Sequence, residues 1–242
     1  MKYALFNGNI IPGDQARIHV QNRELLYSFG VYESLKVRDG RTLFVGDHIE
    51  RLFESARIMD LEHSFGAEDL RAGIEQLREM NVLDEATVRL QLFGGERPFY
   101  YGFAGPLARY PKEYYREGVA CVTYRGERFL PRAKSSCLLL NYLAQREARR
   151  AGALEALFLS RDGELLEGSR SNLFAFKEGR IVSEDERVLH GVTRKHILEF
   201  CRQQGVEIEY RPPLLSELQR GEYQGLFISS TSMGAIPVRS ID

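Results

Sequence analysis

The sequence predicts a mixed α+β protein with mixed or antiparallel sheets in two domains, and three observations carry that expectation. Turn pairs recur between apolar runs at Asn7-Gly8, Asp39-Gly40, Asp162-Gly163 and Glu178-Gly179, and such pairs close short hairpins. Stretches of helical period alternate with these strands in both halves of the chain. Residues 94–118, GGERPFYYGFAGPLARYPKEYYREG, hold glycines, prolines and seven aromatics with no clean period, which reads as a long loop and an interdomain connection. The expected division is therefore an N-terminal α/β domain over 1–110, a linker over 111–118 and a larger α/β domain over 119–242.

The elements follow in order. YALFNGNIIPGD forms the first hairpin, and GVYESLKVRDGRTLFV the second. From Asp47 to Met59 the apolar residues Ile49, Leu52, Phe53, Ala56 and Met59 fall at helical spacing, and Leu70, Ile74 and Leu77 do so within 67–80. ATVRLQLF, 86–93, returns to strand alternation. A strand follows at 119–125, then a helix after Lys134, then three strands through EALFLSRDGELLEGSRSNLFAFKEGRIV. A helix over 192–203 precedes strand 206–210, a short helix at 215–219 and strand 225–229.

At 242 residues with 43% hydrophobic content the chain has enough apolar side chains for a sizeable core. Lysine plus arginine number 33 against 34 acidic residues, so no global field attracts nucleic acid or a membrane surface. Three widely spaced cysteines, Cys121, Cys137 and Cys201, read as free thiols of a reducing compartment. With no leader-like start and no apolar run of membrane-spanning length, a cytoplasmic protein is expected. No histidine or cysteine pair has metal-ligand spacing, and no phosphate loop or nucleophile elbow occurs. No metal is expected.

What remains is a set of polar residues at the ends of apolar elements. Lys134 stands one turn ahead of the basic amphipathic helix in RAKSSCLLLNYLAQREARRAG. Glu167 ends the strand GELLE. Gly191-Val192-Thr193 opens a helix whose free amides suit a phosphate. Ser229-Ser230-Thr231-Ser232 ends another strand. Singly these are a solvated lysine, a turn residue, a helix start and a loop. Together they supply an amine, a carboxylate and anion donors, the groups a pyridoxal phosphate site needs.

The segments NRELLYSFGVYESLKV (22–37), HIERLFESA (48–56), KSS…REARRAG (134–152), EGSRSNLF (167–174), HGVTRKHI (190–197) and FISSTSMGAIPVRSID (227–242) resemble the fold-type IV, or class IV, pyridoxal phosphate aminotransferases. That family contains branched-chain aminotransferases, D-amino acid aminotransferases and aminodeoxychorismate lyases. The resemblance implies a two-domain D-amino acid aminotransferase-like fold, with a small N-terminal sandwich and a larger C-terminal pseudo-barrel, and a homodimer with pyridoxal 5'-phosphate. It implies Lys134 as the Schiff-base lysine, carried by the C-terminal domain, and Glu167 as the partner of the pyridine nitrogen. Arg51, Val192, Thr193, Ser230 and Thr231 are implied as phosphate ligands, with Leu189 against the ring.

On the substrate side the resemblance points to Tyr32, and to Arg89 for an acidic side chain; Arg97 and Arg170 are further carboxylate candidates. Matched at Pro98, Phe99 and Tyr101 stand where D-specific members carry arginine and histidine, which argues against D-specificity. The expected reaction transfers the amino group of a hydrophobic or branched-chain amino acid to a 2-oxo acid. The alternatives are an aminodeoxychorismate lyase that releases pyruvate, and a non-catalytic binding protein of the same fold.

Overall fold

The computed structural model describes residues 2–242 and divides into two compact units. The first comprises the chain up to Ala108 together with Ala133–Cys137, and the second comprises Arg109–Arg132 and Leu138–Asp242.

The first unit contains β1 (Tyr3–Phe6), β2 (Asn9–Pro12), α1 (Arg23–Leu26), β3 (Gly30–Arg38), β4 (Arg41–Thr42), α2 (Val45–Ile58), α3 (Ala67–Met80), β5 (Ala86–Phe93) and β6 (Phe99–Gly105). Its six strands form one antiparallel sheet in the order β2-β1-β6-β5-β3-β4. The hairpins turn at Asn7-Gly8 (φ 45° and 81°) and Asp39-Gly40 (φ 50° and 65°). Both central residues are left-handed in each, as a type I′ turn requires, which is why Asn-Gly and Asp-Gly stand there. One sheet face is covered by α2 and α3: Ile49, Leu52, Ala56, Leu70, Ile74 and Leu77 pack on Val31, Leu35, Val88, Leu90 and Leu92. Each such aliphatic side chain contributes about 1.5–3 kcal/mol by burial. The other face carries the polar half of β3 and β5, with Tyr32, Ser34, Arg89 and Gln91 half-buried on it.

β6 departs from the sequence expectation. Residues 99–105, read as loop, form a strand paired with β1 on one side and β5 on the other. Consecutive aromatics hide its period of two. Phe99, Tyr101 and Phe103 stack along the polar face, while Tyr100 turns inward, edge-on to Phe65.

The second unit contains α4 (Lys112–Glu117), β7 (Val119–Arg125), α5 (Leu139–Arg150), β8 (Glu155–Leu159), β9 (Leu165–Gly168), β10 (Asn172–Lys177), β11 (Arg180–Val182), α6 (Val192–Gln203), β12 (Ile208–Glu209), α7 (Leu215–Gln219), β13 (Gly225–Ser230) and β14 (Gly234–Ile241). Its eight strands run β12-β11-β10-β13-β14-β7-β8-β9, and a further β9–β10 pairing closes the sheet into a barrel. Leu157, Leu165, Leu173, Ile228 and Ile236 fill one core. Ala144 and Ala148 seat α5 on Val122, Ala156 and Phe158, and Leu198 and Cys201 seat α6 on Phe174 and Ile181.

Within the expected linker, Lys112–Glu117 is the helix α4 of the second unit. Lys134, expected in the C-terminal domain, falls in the first unit, because its segment bonds to β3 and α2 there. All three cysteines are free thiols, with Cys121 and Cys201 buried. Among the described residues no helix is long and apolar enough to cross a membrane.

Candidate active site

Lys134 is fixed by its backbone. The segment 133–137 lies against the start of β3 as a bridge between Val31 and Ser135. Tyr32 N–H donates to the Lys134 carbonyl at 3.0 Å, and Ser136 N–H donates to the Gly30 carbonyl at 2.8 Å. The Lys134 N–H donates to Ser55 Oγ on α2 at 3.0 Å. A Cβ on Gly30 would lie 2.8 Å from the Leu92 carbonyl oxygen, so only glycine lets the start of β3 run this close to β5. The amine, on a base held from both sides, reaches over the Tyr32 ring, 4.5 Å from its centroid.

Alternation along β3 decides what that amine meets. Val31, Glu33, Leu35 and Val37 face the core, whereas Tyr32 and Ser34 face the opposite side. Across the sheet Tyr32 stands opposite Gln91, and Gln91 opposite Tyr101. Arg89, on the same face, lays its guanidinium 4.2 Å from the Tyr32 ring centroid. One ring therefore carries two cations, an arrangement favoured by its quadrupole. Burial pushes the Tyr32 phenol up, but Lys134 and then Arg89 outweigh it and hold the group below the ordinary phenol range. Tyr101 donates its hydroxyl hydrogen to Gln91 Oε1.

On the core side, Glu33 is fully buried. Arg51 grips it with both arms of its fork, Nε to Oε1 and NH2 to Oε2, each at 2.7 Å. Burial pushes the Glu33 carboxyl up, but the Arg51 charge and the His48 and Arg51 hydrogen bonds bring it down to about 2. Since Glu33 is ionised, the 2.7 Å contact from His48 Nδ1 must be a donated N–H. Arg51, a phosphate ligand by resemblance, is thus set on α2 by a carboxylate and histidine that the sequence reading did not name. Their signals were present: Glu33 shares the parity of Val31 and Leu35, and His48 precedes Arg51 by three on one helix face.

In the second unit the candidates converge on Asn172. It pairs with Glu167 across β9–β10 and with Ser229 across β10–β13, and its Nδ2 donates to the Leu189 carbonyl at 2.7 Å. A Cβ on Gly191 would lie 2.2 Å from Asn172 Oδ1, so the glycine lets the start of α6 close on this strand end. No side chain caps α6, leaving its first amides, at Val192 and Thr193, without an intrahelical partner. Ser229 Oγ is buried with no partner among the described residues. Beside it Ser230 Oγ lies 3.2 Å from Ser232 Oγ. Glu167 accepts from Arg128 Nε at 2.8 Å and from the Leu189 N–H at 3.0 Å.

Two candidates stand apart. Arg97 is exposed on the loop between β5 and β6. Arg170 is exposed too, with its guanidinium donating to the Leu154 carbonyl at 3.2 Å. Among the described residues no cluster of three or more metal-type ligands occurs.

A family model for class IV aminotransferases matches residues 30–241. A D-alanine aminotransferase of Bacillus licheniformis is 28% identical, over 98% of this chain and 88% of its own length. The structure of the Escherichia coli branched-chain amino acid aminotransferase covers 100% of this chain and 86% of its own, at 25% identity and a TM-score of 0.90. A hypothetical aminotransferase from Mycobacterium tuberculosis, in a pyridoxal phosphate-bound form, covers 99% and 91% at 26% identity and a TM-score of 0.86. Matched over most of its length by the family model and over all of it by a family structure, the chain belongs to the class IV aminotransferases, pyridoxal 5'-phosphate-dependent transaminases.

Proposed function

We propose that this transaminase moves the amino group of a hydrophobic or branched-chain amino acid to a 2-oxo acid, with Lys134 as the amine that attaches the cofactor. The observation that carries the reading is the polar sheet face, where the Lys134 amine and the Arg89 guanidinium share the Tyr32 ring. Along the same face Tyr101 and Phe103 line an apolar pocket of about 320 Å³ with Phe6 and Ile18. An apolar side chain suits that wall, and no carboxylate among the described residues pairs with Arg89, which can take the acid group of a dicarboxylic partner. Phe99 and Tyr101 in place of arginine and histidine support a donor other than a D-amino acid.

The residues present fit pyridoxal 5'-phosphate. In the second unit the uncapped α6 start and the unpartnered Ser229 hydroxyl beside Ser230 and Thr231 are anion-type donors; in the first, Arg51 is a cation suited to the same group. Glu167 is an acceptor for a protonated ring nitrogen, and Leu189 offers an apolar surface. When bound, the cofactor supplies an electron sink for the bond pair at the substrate α-carbon. Lys134 then takes and returns the α-proton at Nζ, with Tyr32 beside it and Ser55 holding its main chain. Glu33 keeps the Arg51 fork in place.

We further propose a homodimer, supported by Val20, Leu26 and Tyr27, which are 82%, 70% and 74% exposed within one short segment. The free thiols support a reducing, cytoplasmic setting. The test is amino transfer from leucine, followed as the keto acid formed. Product that depends on an added 2-oxo acid acceptor is expected. Pyruvate release from aminodeoxychorismate without an acceptor would replace this reading with the lyase.

A further inference from the structure

Glu167 is a carboxylate in an almost closed position, its side chain 6% exposed at the end of a barrel strand. Its cation is Arg128, from the irregular segment after β7, 39 residues earlier in the chain and itself 13% exposed. Arg128 Nε donates to Oε1 at 2.8 Å, while the Leu189 N–H donates to Oε2 at 3.0 Å. A second donation, from Arg128 NH2 to the Pro131 carbonyl, ties the guanidinium to its own loop.

The two contacts use one lone-pair site on each carboxylate oxygen and leave others for a further donor. With a donor on each oxygen the carboxylate cannot swing about its axis. A bond that only tied the loop to the barrel would need neither property.

We infer that Arg128 is a positioning residue that fixes the orientation of Glu167, and through Glu167 sets how tightly the chain holds pyridoxal phosphate. This rests on the reading that Glu167 meets the ring nitrogen. Removal of a group that orients a ligand in this way typically weakens binding by about 10–100-fold. The effect should vanish where Glu167 no longer carries a charge, because coupled residues do not add.

The experiment is equilibrium dialysis of pyridoxal phosphate against apoprotein for wild type, Arg128→Met, Arg128→Lys, Glu167→Gln and the double variant, with apoprotein melting as the control for folding. Expected is a Kd raised about tenfold or more in Arg128→Met, partly restored in Arg128→Lys, with no added loss when Arg128→Met is combined with Glu167→Gln. Wild-type affinity in Arg128→Met beside a weakened Glu167→Gln overturns the inference alone. Unchanged affinity in Glu167→Gln overturns the assignment of Glu167 and the inference with it. Fully additive losses overturn it as well, since Arg128 would then act by another route.

Discussion

At the residue scale the decisive groups are charges placed where charge is costly. Glu33 lies in an apolar core and is tolerated because Arg51 and His48 consume its oxygens. Its folded-state value of about 2 lies below the roughly 4.3 of an unperturbed glutamate. The stabilisation is therefore complete above about pH 4.3 and is lost as pH falls from there toward 2. Glu33→Ala should cost about 3–5 kcal/mol at pH 7, because Arg51 and His48 lose their partner, and should flatten the acid slope in that window. Urea unfolding at several pH values checks both; a variant as stable as wild type with the same slope would show that the triad contributes nothing. Lys134, Glu167 and Arg89 stand out as candidates in the sequence because each ends or interrupts an apolar run inside a recognisable segment. Arg128 does not, since an arginine in an irregular stretch carries no period, and its partner lies 39 positions away. Arg170, in the EGSRSN loop, reads either as a carboxylate ligand or as a solvent-facing arginine; it is exposed, and its guanidinium also donates to a main-chain carbonyl.

At the element scale, local rules explain most of what forms. Three turns predicted from Asn-Gly, Asp-Gly and Glu-Gly pairs have both central residues left-handed, at 7–8, 39–40 and 178–179. The helices at Ala67–Met80 and Val192–Gln203 form where the apolar period expects them. β6 was illegible because its outward residues are as aromatic as its inward one, and period two cannot show when both faces are apolar. Asn172 escaped notice for a related reason: its value comes from meeting β9, β13 and the α6 start at once, which no local pattern encodes. The segment around α1 makes a prediction of its own. Leucine at 26 is 70% exposed beside the exposed Val20 and Tyr27, so Leu26→Glu should convert dimer to monomer. Light scattering decides: a wild type at monomer mass, or a Leu26→Glu variant still at twice that mass, would remove this segment from the interface.

At the scale of the whole molecule, chemistry is distributed over two units built differently. The first offers a sheet on which alternation sorts Tyr32, Arg89 and Gln91 to the polar face and Glu33 to the core. The second offers a closed barrel whose strand ends gather at Asn172. Period and turn chemistry foretold a mixed fold; the barrel also needs β10 to pair with β13 and β14 with β7, contacts between distant segments that no window of sequence contains, whereas its closing pair, Asn172 with Glu167, lies within one short segment. The claim that joins these parts is that Lys134 is the amine of the reaction. It is tested most directly by reducing the cofactor-loaded protein with borohydride and mapping the labelled peptide, for wild type and Lys134→Ala. The account predicts the label on Lys134 alone, and an unlabelled Lys134→Ala variant with no amino transfer. A label on another lysine, or transfer surviving in Lys134→Ala, would contradict it.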